Sequence, residues 1–393
     1  MGIFAKGKED EWKHNFMNDH EQTKIGIITY HAAHNFGSAL QAYATQEFIK
    51  KLGCAPKIIN YIVPAHYEFY RLYRTKYGER ALLNDITRLP FQKLRLERIN
   101  KFDRFAHDYF DLTERVTDPT KAIQQENTFD VMVSGSDQIW NKHSCELEIS
   151  DWKYMTPFLL KGFQGKKVSY ASSIGRMNRD ELEVILPELK KFDAISMREE
   201  SSCHKLNDLG ISSVNVLDPT FLLQAKEWIE KLGLYKTEEK YVIYYSLKDK
   251  AQFDEYLPIL IKLSEHYHQK VLVITPYFDK YRLPKNFVRG INIGPVEFMN
   301  ALYNSCCVVT DSYHGTILAI NFNRSVFSIC PKDGAEFRKT EILKKLRMES
   351  RIITKPEEVL VTDQNIDYSC IVSILEDQRA ESSVYLKQLL YKP

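Results

Sequence analysis

Short β-branched runs alternate with helical stretches through nearly all of this 393-residue chain, which predicts an α/β protein of two domains facing a cleft. Three observations carry that reading. The chain is too long for one ordinary hydrophobic core. The strand–helix alternation runs once to Asp218-Pro219 and starts again near Lys240. Several strands also end directly on polar turns, where open parallel sheets bind their ligands: the first on His31-Ala32-Ala33-His34-Asn35, a later one on Gly135-Ser136-Asp137, another on Asp311-Ser312-Tyr313.

Taken in order, residues 1–23 form a charged leader. Lys24–Tyr30 is a buried strand, and Ser38–Leu52 is a helix with Leu40, Ala44, Phe48, Ile49 and Leu52 at helical spacing and Gly53 as its stop. Ala55–Val63 returns as a strand and completes a βαβ opening. Between 64 and 127 the chain turns aromatic and basic, with Arg71, Arg74, Arg88, Arg95 and Arg98 among its cations. A helix is expected over Arg95–Phe110, with Leu96, Ile99, Phe102, Phe105 and Phe110 on one side. This stretch reads as a helical insertion at the domain's edge, its basic side either solvated or a face for an anionic or lipid-linked acceptor. Strands follow at Phe129–Ser134, Lys167–Ser173, Ala194–Arg198 and 213–217, with helices at Arg179–Lys191 and 199–208 and a stop at Asp218-Pro219.

The second half repeats the rhythm, with strands at 240–247, 270–275, 291–293, 308–310 and 325–330 and helices at 251–268, 295–305, after His314, and 335–346. The expected divisions are 24–222 and 223–365, with a tail at 366–393 that is helical near its end and placed to cross back to the first domain.

Bulk composition narrows the function. A formal net charge of +2 argues against a general nucleic-acid binder, so any anion site must be local. Seven scattered cysteines with no CxxC pair suit free thiols in a reducing compartment. There is no secretory signal and no apolar run near the ~20 residues of a membrane span. A cytoplasmic protein with at most peripheral membrane contact is expected.

The chemistry centres on the strand–turn–helix Cys307–Ala319. Its turn places the titratable imidazole of His314 at a helix start, where free amides attract anions and where a proton can be delivered to a bound anionic substrate. A lone histidine there is also a common helix cap. Arg198, at a strand end, presents paired donors that fork onto a carboxylate or phosphate, or that pair with Glu199 or Glu200.

Three stretches then fall into one pattern: Asn35-Phe36-Gly37-Ser38-Ala39-Leu40-Gln41-Ala42-Tyr43, Gly135-Ser136-Asp137-Gln138-Ile139-Trp140-Asn141, and Asp311-Ser312-Tyr313-His314-Gly315-Thr316. Their order and spacing resemble the polysaccharide pyruvyl transferase family. The resemblance implies two Rossmann-like domains facing a cleft, similar to the glycosyltransferase B-type fold. It also implies transfer of a pyruvyl group from phosphoenolpyruvate to two hydroxyls of a sugar, forming a cyclic ketal for a surface polysaccharide.

By the same resemblance His314 is the general acid and Arg198, in Ser196-Met197-Arg198, is a donor ligand, with Ser312, Tyr313 and the amides of Gly315 and Thr316 beside it. Family members characterised so far carry Arg-Leu where this chain has Ser312-Tyr313, which makes Arg338 the replacement cation or implies a different donor. Asp137 is the expected base or orienting acceptor. Asn35, Gly37, Ser38, Ser136, Gln138 and Asn141 are expected against the acceptor, a sugar or lipid-linked oligosaccharide. Trp140 is expected to stack on a sugar ring or to fill the core; His31 and His34 are further acceptor candidates. No spacing specifies a metal, so no metal or cofactor is expected to be tightly bound; a divalent cation near phosphate would use Asp137 or Asp311. The alternatives are a nucleotide-sugar glycosyltransferase of the same shape and a catalytically dead glycan- or partner-binding protein.

Overall fold

A computed structural model describes residues 23–147, 149–275, 282–331, 337–359 and 366–390. Apart from Thr23, the expected leader lies outside the described residues. In the first half, β1 (Ile25–Ile28), β2 (Pro56–Ile58), β3 (Val131–Ser134) and β4 (Lys166–Ser169) form a parallel sheet in the order β2-β1-β3-β4. A parallel pair, β5 (Ser196–Met197) and β6 (Val214–Asn215), continues it through a bridge between Ser172 and Met197. In the second half, β7 (Tyr241–Tyr245), β8 (Lys270–Ile274), β9 (Phe287–Arg289), β10 (Cys307–Thr310), β11 (Ser325–Ile329) and β12 (Ile352–Ile353) form a parallel sheet in the order β12-β11-β10-β7-β8-β9.

Two expected strands differ. The run Ala55–Val63 keeps its ladder only over Pro56–Ile58, because Tyr61 N turns back to Ile59 O at 2.8 Å. The strand expected at 291–293 lies instead at Phe287–Arg289, and its ladder ends where Gly290 N donates to Val273 O at 2.8 Å.

Alternation along the strands divides the core. On β7, Ile243 and Tyr245 face one cluster while Val242 and Tyr244 face another, the period of two that a sheet covered on both faces requires. The cluster holding Ile243 also takes Ile27 of β1, Val133 of β3 and Val308 of β10, so one core runs through both halves. The helix Phe36–Lys51 lies inside it, its ring of Phe36 stacked on Phe298 at 4.2 Å and 10°. Lys51 and Glu227, and Lys231 and Glu47, pair at 2.7 Å along the same helix.

In both sheets the strand order reverses at the centre, between β1 and β3 and between β7 and β10. Such a reversal sends neighbouring connections to opposite faces and opens a crevice at the strands' carboxyl ends. The two crevices face one another, since residues leaving β1, β3, β7 and β10 all line one cavity.

The segment between 64 and 127 contains the helices Pro64–Phe69, Glu79–Ile86, Gln92–Tyr109 and Pro119–Glu126. It is not confined to the domain's edge. Lys101 Nζ pairs with Glu297 Oε1 at 2.7 Å and Asn292 Nδ2 donates to Glu97 Oε2 at 2.9 Å, so Gln92–Tyr109 bridges to the second half and forms a wall of the cleft. The last helix, Tyr368–Leu390, braces the turn after β6: Leu217 N donates to Ser382 Oγ (3.1 Å), and Arg379 Nε to Phe221 O (2.6 Å).

Glu126, at the end of Pro119–Glu126, is fully buried, and neither carboxyl oxygen has a hydrogen-bond partner. Burial pushes this carboxyl well above the ordinary value of 4.5, and Lys167 only partly offsets it. The folded state therefore holds this proton more tightly than the unfolded chain, so its stabilisation is complete below about pH 4.5 and is lost as pH rises through the folded value. Glu126→Gln is expected to stabilise the protein by about 1–3 kcal/mol at pH 8 and by less at pH 4. Urea unfolding at the two pH values checks this; an equal change at both would contradict it.

Candidate active site

The facing crevices enclose a cavity of about 490 Å³. Its floor is where the two halves touch. Asn35 caps the helix Phe36–Lys51, its Oδ1 accepting from Gly37 N (2.9 Å) and Ser38 N (3.4 Å). Ser312 caps the helix Tyr313–Asn321, its Oγ accepting from Gly315 N at 3.2 Å. The two helix starts meet with the His314 imidazole lying on Gly37: a Cβ built on that glycine would fall 2.1 Å from Nδ1 and 2.5 Å from Cγ. No side chain larger than hydrogen fits there without moving the ring.

Nε2 of His314 is buried and lies 3.4 Å from Asp218 Oδ2. Asp218 caps the short helix Pro219–Leu222 by accepting from Thr220 N at 2.9 Å, and it is fully enclosed. Burial by itself raises an aspartate, but His314 and Arg198 outweigh it and hold Asp218 well below the carboxylate range. Asp137 is balanced in the same way: burial raises it, while His314, Arg198, the Ser38 hydroxyl (2.8 Å) and the Gln138 amide (2.8 Å) lower it. Its backbone takes φ 77°, a left-handed conformation that aspartate tolerates when its side chain bonds locally. The imidazole therefore sits within a group of two ionised carboxylates and one guanidinium.

Arg198 does not line the cavity. Its guanidinium has no exposure and lies beneath the Tyr313 ring (4.4 Å), with Glu199 at 2.9 Å, Asp218 at 3.2 Å and Asp137 at 3.6 Å. The expected donor fork is engaged by carboxylates within the wall; Nη2 alone has no partner. Gly315 and Thr316 are likewise behind the surface. Their amides are taken by Ser312, and Gly315 is small because Tyr245 and Thr310 press against it, a Cβ there meeting them at 2.7 and 2.8 Å.

The remaining expected residues divide clearly. Asn35, Ser38, Asp137, Gln138, Asn141, Ser312, Tyr313, His314 and Arg338 line the cavity, as does His34. Trp140 is completely buried and donates Nε1–H to Phe158 O at 2.9 Å, so it fills the core and cannot stack on a sugar. Ser136 is buried with its hydroxyl on Ala171 O at 2.7 Å. His31 turns inward to Asn60 Oδ1 at 3.1 Å. Lys339, beside Arg338, is fully buried and binds the carbonyls of Asp311 (2.6 Å) and Ile329, which anchors the turn below His314. Asp311 itself accepts from Leu247 N (2.8 Å) and Ser246 Oγ (2.5 Å), tying the β10 turn to the β7 turn.

Asp218 escaped the sequence reading because Asp-Pro there looks like a stop. An aspartate before a proline at a strand end is equally the signature of a helix N-cap, and that is its local role.

The opposite wall is basic. Arg71, Arg74, Arg88, Arg95 and Arg98 of the inserted helices all line the cavity, joined by Arg176, Lys248 and Arg338. Asp85, fully buried, receives Arg74 as a bidentate pair at 2.8 and 2.9 Å, with Arg95 at 3.6 Å and Arg88 at 3.8 Å. One buried carboxylate thus organises three guanidiniums.

A model of the polysaccharide pyruvyl transferase family matches residues 35–330, from the Asn35 cap through the His314 turn and β11. The chain belongs to the polysaccharide pyruvyl transferase family. In overall shape this pyruvyl transferase family member is similar to UDP-N-acetylglucosamine 2-epimerase from Rickettsia bellii, at 12% identity over 94% of this chain and 96% of that one, TM-score 0.51. It is also similar to Arabidopsis thaliana UGT89C1 complexed with quercetin, at 10% identity over 94% of this chain and 100% of that one, TM-score 0.49. At 12% identity the likeness to the Rickettsia bellii epimerase shows the fold alone, the two-domain glycosyltransferase B type. No curated protein sequence matches the chain significantly. In this family member Ser312 and Tyr313, standing where Arg-Leu is expected, serve as a helix cap and as the cover over Arg198.

Gly37→Ala is expected to displace the His314 ring, costing about 1–3 kcal/mol of stability by overpacking. In a His314→Ala background the same change should cost little, and a double-mutant cycle by urea unfolding that showed no coupling would refute the contact. Asp218→Asn leaves Arg198 with one anion fewer in a dry wall and is expected to destabilise by about 3–5 kcal/mol. Because Asp218 and Asp137 are held below the ordinary 3.8, their stabilisation is present above about pH 4 and lost as pH falls through the folded values. Wild type should accordingly lose stability more steeply than Asp218→Asn below pH 4.

Proposed function

We propose that this chain transfers a pyruvyl group from phosphoenolpyruvate to two hydroxyls of a sugar, forming a cyclic ketal for a surface polysaccharide and releasing phosphate in the cytoplasm. The observation that supports it most is the placement of His314, oriented by Asp218 at 3.4 Å and seated on Gly37 at the floor of an arginine-walled cleft. Asp218 lies at ion-pair distance from Nε2 and sets the ring's orientation, as a buried carboxylate orients a catalytic imidazole.

In this reading His314 gives its proton to the methylene carbon of phosphoenolpyruvate, which becomes the methyl group, while a sugar hydroxyl oxygen bonds to the neighbouring carbon. Asp137, ionised and hydrogen-bonded to Ser38, accepts from that hydroxyl and orients it. The second hydroxyl then bonds to the same carbon as the C–O bond to phosphate breaks. Of the two hydroxyl protons, one leaves with phosphate and the other restores His314. Asn35, Gln138 and Asn141 supply neutral hydrogen-bonding groups for the sugar, and the basic wall suits an acceptor carried on a lipid diphosphate.

His314→Ala is expected to lower acceptor-dependent phosphate release from phosphoenolpyruvate by ~10²-fold or more with the fold intact. Release would be measured with galactosyl, mannosyl and lipid-linked acceptors. Near-normal release in the variant removes His314 from the mechanism. Thermal protection of wild type by a nucleotide sugar but not by phosphoenolpyruvate would favour a glycosyltransferase instead.

A further inference from the structure

Arg98 differs from Arg71, Arg74, Arg88 and Arg95, the other arginines of the 64–127 segment that line the cavity. Its guanidinium carbon lies 4.5 Å from the centre of the Phe36 ring and 5.2 Å from that of Phe102, and among the described residues no carboxylate stands within ion-pair distance of it. The protein offers it ring faces and no anion. Arg74, Arg88 and Arg95 share Asp85, Arg71 pairs with Glu68 at 3.3 Å, and Arg198 is sealed among carboxylates under Tyr313. Arg98 nevertheless lines the cavity, next to the polar tips of Tyr70 and Tyr245.

Its position relates directly to the reacting histidine. Phe36, the platform under the guanidinium, is adjacent in the chain to Gly37, the platform under the His314 ring. The helix carrying Arg98 is held to the second half by Glu97, the residue before it, through Asn292 (2.9 Å), and by Lys101, about one turn after it, through Glu297 (2.7 Å). Stacking fixes the plane of the guanidinium and leaves its edge, where the donors lie, for a ligand.

We infer that Arg98 binds the anionic end of the donor, phosphate or carboxylate, in place of the arginine that is absent before His314 and of Arg198, which is buried. This rests on the pyruvyl-transfer reading for the identity of the donor, but not for the presence of an anion site. A dianion there supplies the counter-charge that the wall lacks and sits beside the imidazole that must protonate it. Burial pushes the Arg98 guanidinium down to about 10, in keeping with the absence of a carboxylate beside it among the described residues.

The test is calorimetric titration of inorganic phosphate, and separately of phosphoenolpyruvate, into wild type, Arg98→Gln, Arg98→Lys and, as a control, Arg80→Gln, an exposed arginine of Glu79–Ile86 that does not line the cavity. Phosphate and phosphoenolpyruvate are both expected to bind at least 10-fold more weakly to Arg98→Gln. Arg98→Lys, which keeps the charge but not the stacked fork, should lie between, and it carries the test if Arg98→Gln fails to fold. Arg80→Gln should bind like wild type. Unchanged phosphate affinity in Arg98→Gln, equal losses in Arg98→Gln and Arg80→Gln, or no binding of phosphate to wild type would each overturn the inference. Phosphate binding that depends on Arg98, in a protein that releases no phosphate from phosphoenolpyruvate with any acceptor, would sustain the anion site and reject the pyruvyl-transfer reading. Phosphoenolpyruvate turnover with Arg98→Gln affinities unchanged would do the reverse.

Discussion

The contact of the His314 imidazole with Gly37 constrains the rest of this molecule. It joins two helix starts from different sheets, each placed by its own strand reversal, and it allows no Cβ between them. The helix Phe36–Lys51 must therefore present its first turn to the second half, which it does by burying thirteen of its sixteen residues in a core common to both sheets. Rigid close packing of this kind fixes an imidazole more firmly than hydrogen bonds to a loop would. It also makes the site a property of the interface between the halves, because neither half contains both the ring and its seat.

Around that contact the charges are arranged in two opposed walls. One is largely closed: Arg198 is sealed among Asp218, Glu199 and Asp137, and Asp218 lies against His314. The other is open, with three guanidiniums around one buried Asp85 and Arg98 on aromatic rings. The open wall faces the cavity, as does the His314 imidazole, which the closed group holds at Asp218. The near-zero net charge of the chain is compatible with this, since the positive excess is local and the compensating acids lie elsewhere.

The departure at Ser312-Tyr313 has a structural explanation as well as a functional consequence. Serine caps the helix whose second residue is His314, and tyrosine covers the Arg198 guanidinium at 4.4 Å. With Arg198 covered, the inserted helices become the source of cations for the cleft. An insertion that looked peripheral from its composition is thereby part of the site.

The sequence alone determined the alternation of strands and helices and the three polar turns at strand ends, because these depend on local periodicity and on residue type at a turn. Asn35, Ser38, Asp137, Gln138, Asn141 and Arg338, singled out there, line the cavity, where the turn chemistry faces outward. Tertiary structure decided which residues of those same turns look inward. Trp140 and Ser136 belong to the polar loop after β3, yet pack into the wall, since direction within an irregular loop has no sequence period. It also decided the partners of charge: Asp218 with His314, Asp85 with three arginines, and aromatic rings rather than a carboxylate for Arg98. Those pairings join residues far apart in the chain, and only the meeting of the two sheets brings them within the few ångströms over which charge and packing act.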